Sequence, residues 1–535
     1  LALAVVGLAS TCLAEYHQKI VRQLELEDPS LPAEVRGLGQ PSLWHHPERG
    51  PLPDLQLYVR EPGGVAWLGG PEGAARFDPS ATHPWERWQF FAGQRWLRDN
   101  HVRNIVVSNA PAATRVWVRT DSAVAEITWR PMTLAEKAAH YEELIERHHV
   151  RHGFVADCRL REPGNLETSF TTDNDNDGLW TAMYLAAQSF RFAVTGDEEA
   201  RARATRAFDA IVRLLDITGH PGFPARSFVT KDEPHEAGGE WHPTRDGQWV
   251  WKGDTSSDEI VGHYYGHALF HDLVADEGQQ RTVRRVIAAI TDHLLANDFD
   301  LLDLDGQPTR WGQWSERYYA TEEGKYERAL RSLELLAALR VAVHVTGDAR
   351  YEAAYQERVK RGYAEFVKEY RRWPGGGEIN FSDDELAYLS FDPLLRHERD
   401  PKLRAIYLDS LRFTWSRIEP DRNPLWNYIS AASGAGSLTR THRKDSRLTL
   451  ERIPWLPIEW GVFNSRRTDV EMLPVVDRHG RRELADTVAP DERRTHKWNG
   501  NPYQADSGTD GRSLECGTYF LLPYWMGRHH GWLKD

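Results

Sequence analysis

The chain has 535 residues, with 66 Lys and Arg against 79 Asp and Glu, for a formal charge of −13 at pH 7. Hydrophobic residues at 40% and charged residues at 27% are ordinary globular usage, which excludes fibrous and disordered classes. The acidic excess repels a phosphate backbone, so no nucleic-acid partner is expected.

Residues 1–14 form an uncharged apolar run, too short to cross a bilayer, that ends in small residues before Glu15. It reads as the hydrophobic part of a signal peptide cleaved after Ala14. Lipid attachment at Cys12 is the alternative. Both predict an exported protein, periplasmic or extracellular, or anchored at the cell surface. No later run is apolar enough for a transmembrane segment. Cys158 and Cys516 then remain, too few for a disulfide framework and without zinc-ligand spacing.

Residues 15–131 read as a β segment with an internal repeat. Val65-Ala66-Trp67-Leu68 through Phe77 realigns with Arg115-Val116-Trp117-Val118 through Ile127, the two Trp standing 50 positions apart. The pattern resembles two blades of a regulator-type β-propeller, and two blades cannot close a ring.

Residues 132–535 change from a period of 2 to one of 3.6. Trp180, Met183, Tyr184 and Ala187 share one helical face, as do Phe208, Ile211, Val212 and Leu215, and Val283, Val286, Ile287 and Ile290. Val194-Thr195-Gly196-Asp197 and Val345-Thr346-Gly347-Asp348 each place a glycine to end one helix and an aspartate to cap the next. Helical hairpins are predicted over 179–217, 258–297, 327–372 and 383–418, with more helix before and after. Trp- and Gly-rich inserts between them favour a ring over a solenoid.

Asp175-Asn176-Asp177-Gly178-Leu179-Trp180 opens one hairpin and Trp251-Lys252-Gly253-Asp254 through Asp258-Glu259 opens the next. With Asp305–Gly312 and Asn423–Asn427, these segments resemble the six-hairpin (α/α)6-toroid carbohydrate-active enzymes. That resemblance implies a mainly α fold with a short N-terminal β segment, the toroid being catalytic. It covers inverting glycosidases, unsaturated glucuronyl hydrolases and polysaccharide lyases, and fold alone does not choose among them.

Hydrolysis of a glycosidic bond needs two carboxylates flanking it. Asp258 is the expected acid, on a helix start capped by Thr255 or Ser256, with Asp254, Asp175 or Asp177 as partner. The competing role for Asp258 is a simple helix-dipole contact. β-Elimination is the alternative chemistry, with His263 and Tyr264 or Tyr265 as base and acid. His263, His267 and His271 also recur every four residues on one face, a spacing that could bind metal. Asp173, Asp175 and Asp177 match half of a calcium loop, but Tyr184 stands where the loop's closing Glu belongs. Calcium is therefore an optional ligand and no cofactor is required.

Substrate-binding candidates are Arg226, Trp251, Arg310, Trp311, Trp314, Trp498, Asn499 and Tyr503. Arginine pairs with carboxylate or sulfate groups and indoles stack on sugar faces. The expected partner is an anionic, uronic-acid-containing oligo- or polysaccharide. A non-catalytic glycan-binding or sensor protein is the rival from another class.

Overall fold

A computed structural model of the chain describes residues 16–42, 44, 49–61, 63–108, 114–235, 238–372, 380–477 and 479–534. The apolar run 1–14 with Cys12, and Gly375-Gly376-Gly377, lie outside the described residues. The chain divides into two compact units, the smaller built from residues up to His140 with Arg466–Asp469, the larger from Tyr141–Ser465 and Val470–Lys534.

The smaller unit holds two four-stranded antiparallel sheets. One is the meander β2 (Leu57–Arg60), β3 (Ala66–Gly70), β4 (Gly73–Phe77) and β5 (Trp88–Phe91). The other runs β6 (Asn104–Ser108), β7 (Arg115–Arg119), β8 (Val124–Met132), then β1 (Tyr16–Leu24), which pairs with β8 from Tyr16 opposite Met132 to Leu24 opposite Val124. The repeat therefore maps strand for strand, with β1 in the place of β5. The sheets share one core in which Trp67 and Phe91 meet Val116, Val118 and Ile127. Trp67 points into that core, whereas Trp117 points to the opposite face, covered by Leu31 and Val35. Equivalent residues thus face the same way along the stack, an order set by the alternation of side chains across a strand.

The larger unit is a ring of paired helices. Its outer helices are α1 (Leu134–His148, from Tyr141 onward), α3 (Glu198–Asp216), α5 (Glu277–Ala296), the two segments α7 (Ala349–Lys360) and α8 (Tyr363–Lys368), α10 (Pro401–Ile418) and α12 (Arg440–Arg452). Its inner helices are α2 (Asp177–Thr195), α4 (Ser257–Leu273), α6 (Glu322–Thr346), α9 (Phe381–His397), α11 (Pro424–Ser433) and α13 (Thr518–His529). Each inner helix packs on the next, and α13 returns to α2, so the circle closes as an (α/α)6 toroid. The four expected hairpins are present. Gly196 and Gly347 end α2 and α6 in the left-handed conformation, at φ of 65° and 69°. Asp197 and Asp348 cap the following helices through the N–H groups of Glu199 and Arg350.

Two features set the inner helices in register. A Cβ on Gly262 would lie 2.7 Å from Leu179 Cα, and one on Gly266 would lie 3.0 Å from Ala182 Cβ, so α2 and α4 pack backbone to backbone. Both contacts advance together along the two helices, which therefore run parallel. The buried Glu259 carboxylate accepts from the N–H groups of Gly178 (3.1 Å) and Leu179 (3.3 Å), capping the neighbouring helix rather than its own. The ring interior is closely packed around Tyr265, Glu334 and Leu389, which line a void of about 10 Å³. Parallel inner helices direct all six N-termini to one end of the ring, where the acidic side chains gather. Both cysteines of the larger unit are free, and burial pushes the Cys158 thiol up to about 12.

Candidate functional site

Asp258 sits half-buried in the first turn of α4, its Oδ1 accepting from Asn176 Nδ2 at 3.4 Å. Asp383 sits half-buried in the first turn of α9, its Oδ1 accepting from Asn380 Nδ2 at 2.8 Å. The helices carrying them pack directly on each other. Burial pushes the Asp383 carboxyl up to about 6 against the pull of Arg331, with the charges of Glu327 and Asp258 adding to the rise. Two residues further along α9, burial raises Glu385 to about 8, again with Asp258 contributing and Lys497 opposing. Its Oε1 has no hydrogen-bond partner among the described residues.

On α6, Glu334 is buried between Arg331 (3.2 Å) and the Trp314 indole N–H (2.9 Å). Burial lifts it to about 7, Arg331 and Trp314 oppose the rise, and Asp258 adds to it. Arg331 also holds Glu327 at 2.9 Å. Asp258 is thus within electrostatic reach of carboxyls on α6 and α9, and three inner helices contribute to one connected acidic site.

Lys497 stands near this group, 5.4 Å from the Trp180 ring centre and 4.0 Å from Asp157. The charges of Asp157 and Glu515 outweigh burial and keep its ammonium protonated. Glu515, just ahead of α13, accepts from the His496 N–H at 2.9 Å, and burial raises it to about 8. Beyond it, Tyr503 donates to Asp421 at 2.7 Å, and burial pushes Asp421 up to about 6.

Several sequence-based assignments are corrected by this geometry. Asp177 is wholly buried and turned away, its Oδ2 held by Arg151 at 2.5 Å and by Ser227, so it is no partner for Asp258. Burial still lifts it to about 6 against the pull of Arg151. Asp175 is exposed and paired with Lys252 at 2.5 Å; despite partial burial, that hydrogen bond holds its carboxyl below the usual value. Asp173 lies 3.9 Å from the same ammonium. Lys252 therefore stands where a calcium ion would be expected, and Asp173, Asp175 and Asp177 do not converge on one point. Asp254 adopts φ 47°, and its Oδ1 accepts from the Arg310 N–H at 2.9 Å while its own N–H reaches Asp303 at 2.7 Å. Its carboxylate anchors a strand rather than facing Asp258.

The elimination pair is likewise not presented at the ring mouth. His263 has no exposed surface, and neither ring nitrogen has a partner among the described residues. Tyr264 is turned outward to Thr291 on α5, at 2.8 Å. Tyr265 points into the packed ring interior, and burial raises its phenol well above the usual value. His263 and His267 stack at 5.5 Å in the core, so the face they share with His271 does not form a three-histidine site.

Of the binding candidates, Trp251 and Trp314 are core residues. Arg226 stitches two rim loops, donating to the carbonyl oxygens of Asp175 (2.7 Å) and Asp254 (3.1 Å) and to Asn176 Oδ1 (3.3 Å). Arg310 is exposed and lies 4.6 Å from the half-buried Trp311 ring, a surface pair. Trp498 lines a slot of about 20 Å³ with Lys497 and Arg493, and Asn499 beside it is half-buried. Sequence reading missed Asp383, Glu385, Glu334 and Glu515, whereas Lys497 falls in the run Lys497–Tyr503 that reads as binding-loop material.

No protein-family model and no curated protein matches the chain. Among solved structures, a variant of a thermostable endoglucanase from Alicyclobacillus acidocaldarius is similar over 88% of this chain and 98% of its own, at 12% identity and a TM-score of 0.39. A metagenome-derived glycoside hydrolase family 9 endoglucanase is similar over 87% and 98%, at 11% identity and a TM-score of 0.41. The toroid is established by the closure of its own inner ring.

Proposed function

We propose that this chain hydrolyses glycosidic bonds, with Asp258 and Asp383 as the working carboxyls. The observation that carries the reading is that Asp258 is electrostatically joined to raised carboxyls on two other inner helices, and that Asp383 is the one among them still half-open to solvent. A carboxyl near 6 can arrive protonated and give its proton to the leaving glycosidic oxygen as the C–O bond breaks. Asp258 acts on the opposite side of the sugar, either activating the water whose oxygen forms the new bond or forming that bond itself before water replaces it. Glu334, paired with Arg331, and Glu385, whose burial favours the neutral form, add little charge repulsion to the site.

The substrate is proposed to be an acidic sugar. Lys497 supports this: it stays charged, lies over an indole ring, and its nearest carboxylate is 4.0 Å away, leaving room for a sugar carboxylate.

The test is incubation of purified protein with a panel of neutral and uronic-acid polysaccharides, following reducing ends and the ultraviolet absorbance of unsaturated uronates. The proposal expects new reducing ends without unsaturated product, on uronate-containing chains. Unsaturated product would show elimination, and binding without any bond cleavage would show a glycan-binding protein; either overturns it.

A further inference from the structure

The opposite end of the ring carries a different chemistry. Three consecutive inner helices, α4, α6 and α9, end in histidines: His271, His344 and His397. The negative ends of three parallel helix dipoles therefore meet there, an environment that favours cations. In their midst, Asp272 Oδ1 lies 2.8 Å from His271 Nδ1 and 2.8 Å from His344 Nε2. Hydrogen bonding to both imidazoles outweighs burial and holds the Asp272 carboxyl far below the usual value. The one ligand atom that each of the three residues offers lies within 4.8 Å of the other two. The His397 ring stacks on that of His344 at 3.8 Å and fixes its plane. A second group of three, Glu240, His242 and Asp303, has looser geometry: His242 Nε2 is 3.9 Å from Glu240, and Asp303 Oδ2 is already engaged by the Asp254 N–H.

We propose that His271, Asp272 and His344 bind a divalent first-row cation of the zinc type. Two imidazoles and one carboxylate are a donor set suited to such ions. His271 Nδ1 and His344 Nε2 already converge on one Asp272 oxygen, and small side-chain shifts would open the three donor atoms to surround a cation about 2 Å from each. Access is direct: Asp272 lines a cavity of about 610 Å³, which leaves space for water to complete the coordination. The site stands thirteen residues along α4 from Asp258, or about 20 Å at the helical rise, so it is separate from the proposed reaction centre. Bound there, the ion ties the C-terminal ends of α4 and α6 together.

The experiment uses full-length protein stripped with a chelator, dialysed against Zn2+ at neutral pH and assayed for bound metal, beside His271→Gln, His344→Gln and Asp272→Asn. Each variant is checked for native circular dichroism, and His242→Gln serves as the control at the second cluster. The expected result is that the first three variants lose one zinc equivalent, or bind it at least tenfold more weakly, while His242→Gln does not alter that equivalent. Cobalt substitution should give visible d–d absorption that disappears in the same three variants. Unchanged zinc content in folded His271→Gln and His344→Gln protein would overturn the proposal. So would wild-type protein that binds no zinc.

Discussion

Asp258 and Asp383 stand in the first turns of two inner helices that pack on each other, and burial with the charges of Glu327 and Asp258 lifts the Asp383 carboxyl to about 6. One is placed to give up a proton at neutral pH and the other to act opposite it.

The pH dependence of activity follows from that pair. Asp383 must be protonated to serve as the acid, so kcat/KM should fall as pH rises through about 6. The Asp258→Asn substitution removes one of the charges that raise Asp383, and a direct titration of Asp383 in that variant should give a lower value than in the wild type.

Glu385 makes stability fall with pH. Its carboxyl is raised by burial to about 8, so the fold favours the neutral form. The corresponding stability is complete below the ordinary Glu value and is lost as pH rises through about 8. Glu385→Gln mimics the neutral form. It should match the wild type in thermal melting near about pH 5 and be more stable near about pH 9, by on the order of 2 kcal/mol.

Close packing of α2 on α4 leaves no space for a side chain at Gly262, where a Cβ would meet Leu179 backbone at 2.7 Å. Gly262→Ala should destabilise by about 1–3 kcal/mol despite alanine's higher helix propensity. Gly278→Ala, at an exposed position on α5 where a Cβ would meet only side-chain atoms, at 3.3 Å or more, should cost far less. Chemical denaturation of both variants measures the difference.

Glu259 caps a helix that is not its own. Glu259→Ala strips the Gly178 and Leu179 N–H groups of their shared acceptor in a buried place and leaves a cavity. A loss of about 2–4 kcal/mol is expected in denaturation, with protection from amide exchange falling first at the start of α2.

The ring was legible in the sequence because its hairpins carry both signals that a helix leaves there, apolar spacing and end residues such as Gly196-Asp197. Asp258 was legible as an acid in the first turn of a helix, although the expected cap is not made: the Ser256 hydroxyl donates to Asn176 and that of Thr255 to the Pro224 carbonyl. Its partners were not, because Glu334 and Glu385 lie inside helical stretches that read as core. The signal was present in another form: Glu334 shares a stripe with Leu330, Leu333 and Ala337, and a carboxyl on an apolar stripe must be neutral or paired. Loop acids misled for the reverse reason. Asp175 and Asp177 find their counter-ions in Lys252 and Arg151, far away in sequence, so spacing alone could not tell a calcium loop from two ion pairs. Tyr264 and Tyr265 are neighbours in sequence but point about 100° apart around the helix, one to α5 and one to the ring interior. Trp251 and Trp314 show that indole content does not by itself distinguish a sugar platform from core.

The most direct measurement is reducing-end release by Asp258→Asn and Asp383→Asn protein, on whichever polysaccharide the wild type cleaves, with substrate binding followed by calorimetry. The account predicts that kcat drops by about 100-fold or more in each variant while binding persists and the melting profile stays native. Near wild-type kcat in either folded variant would contradict it.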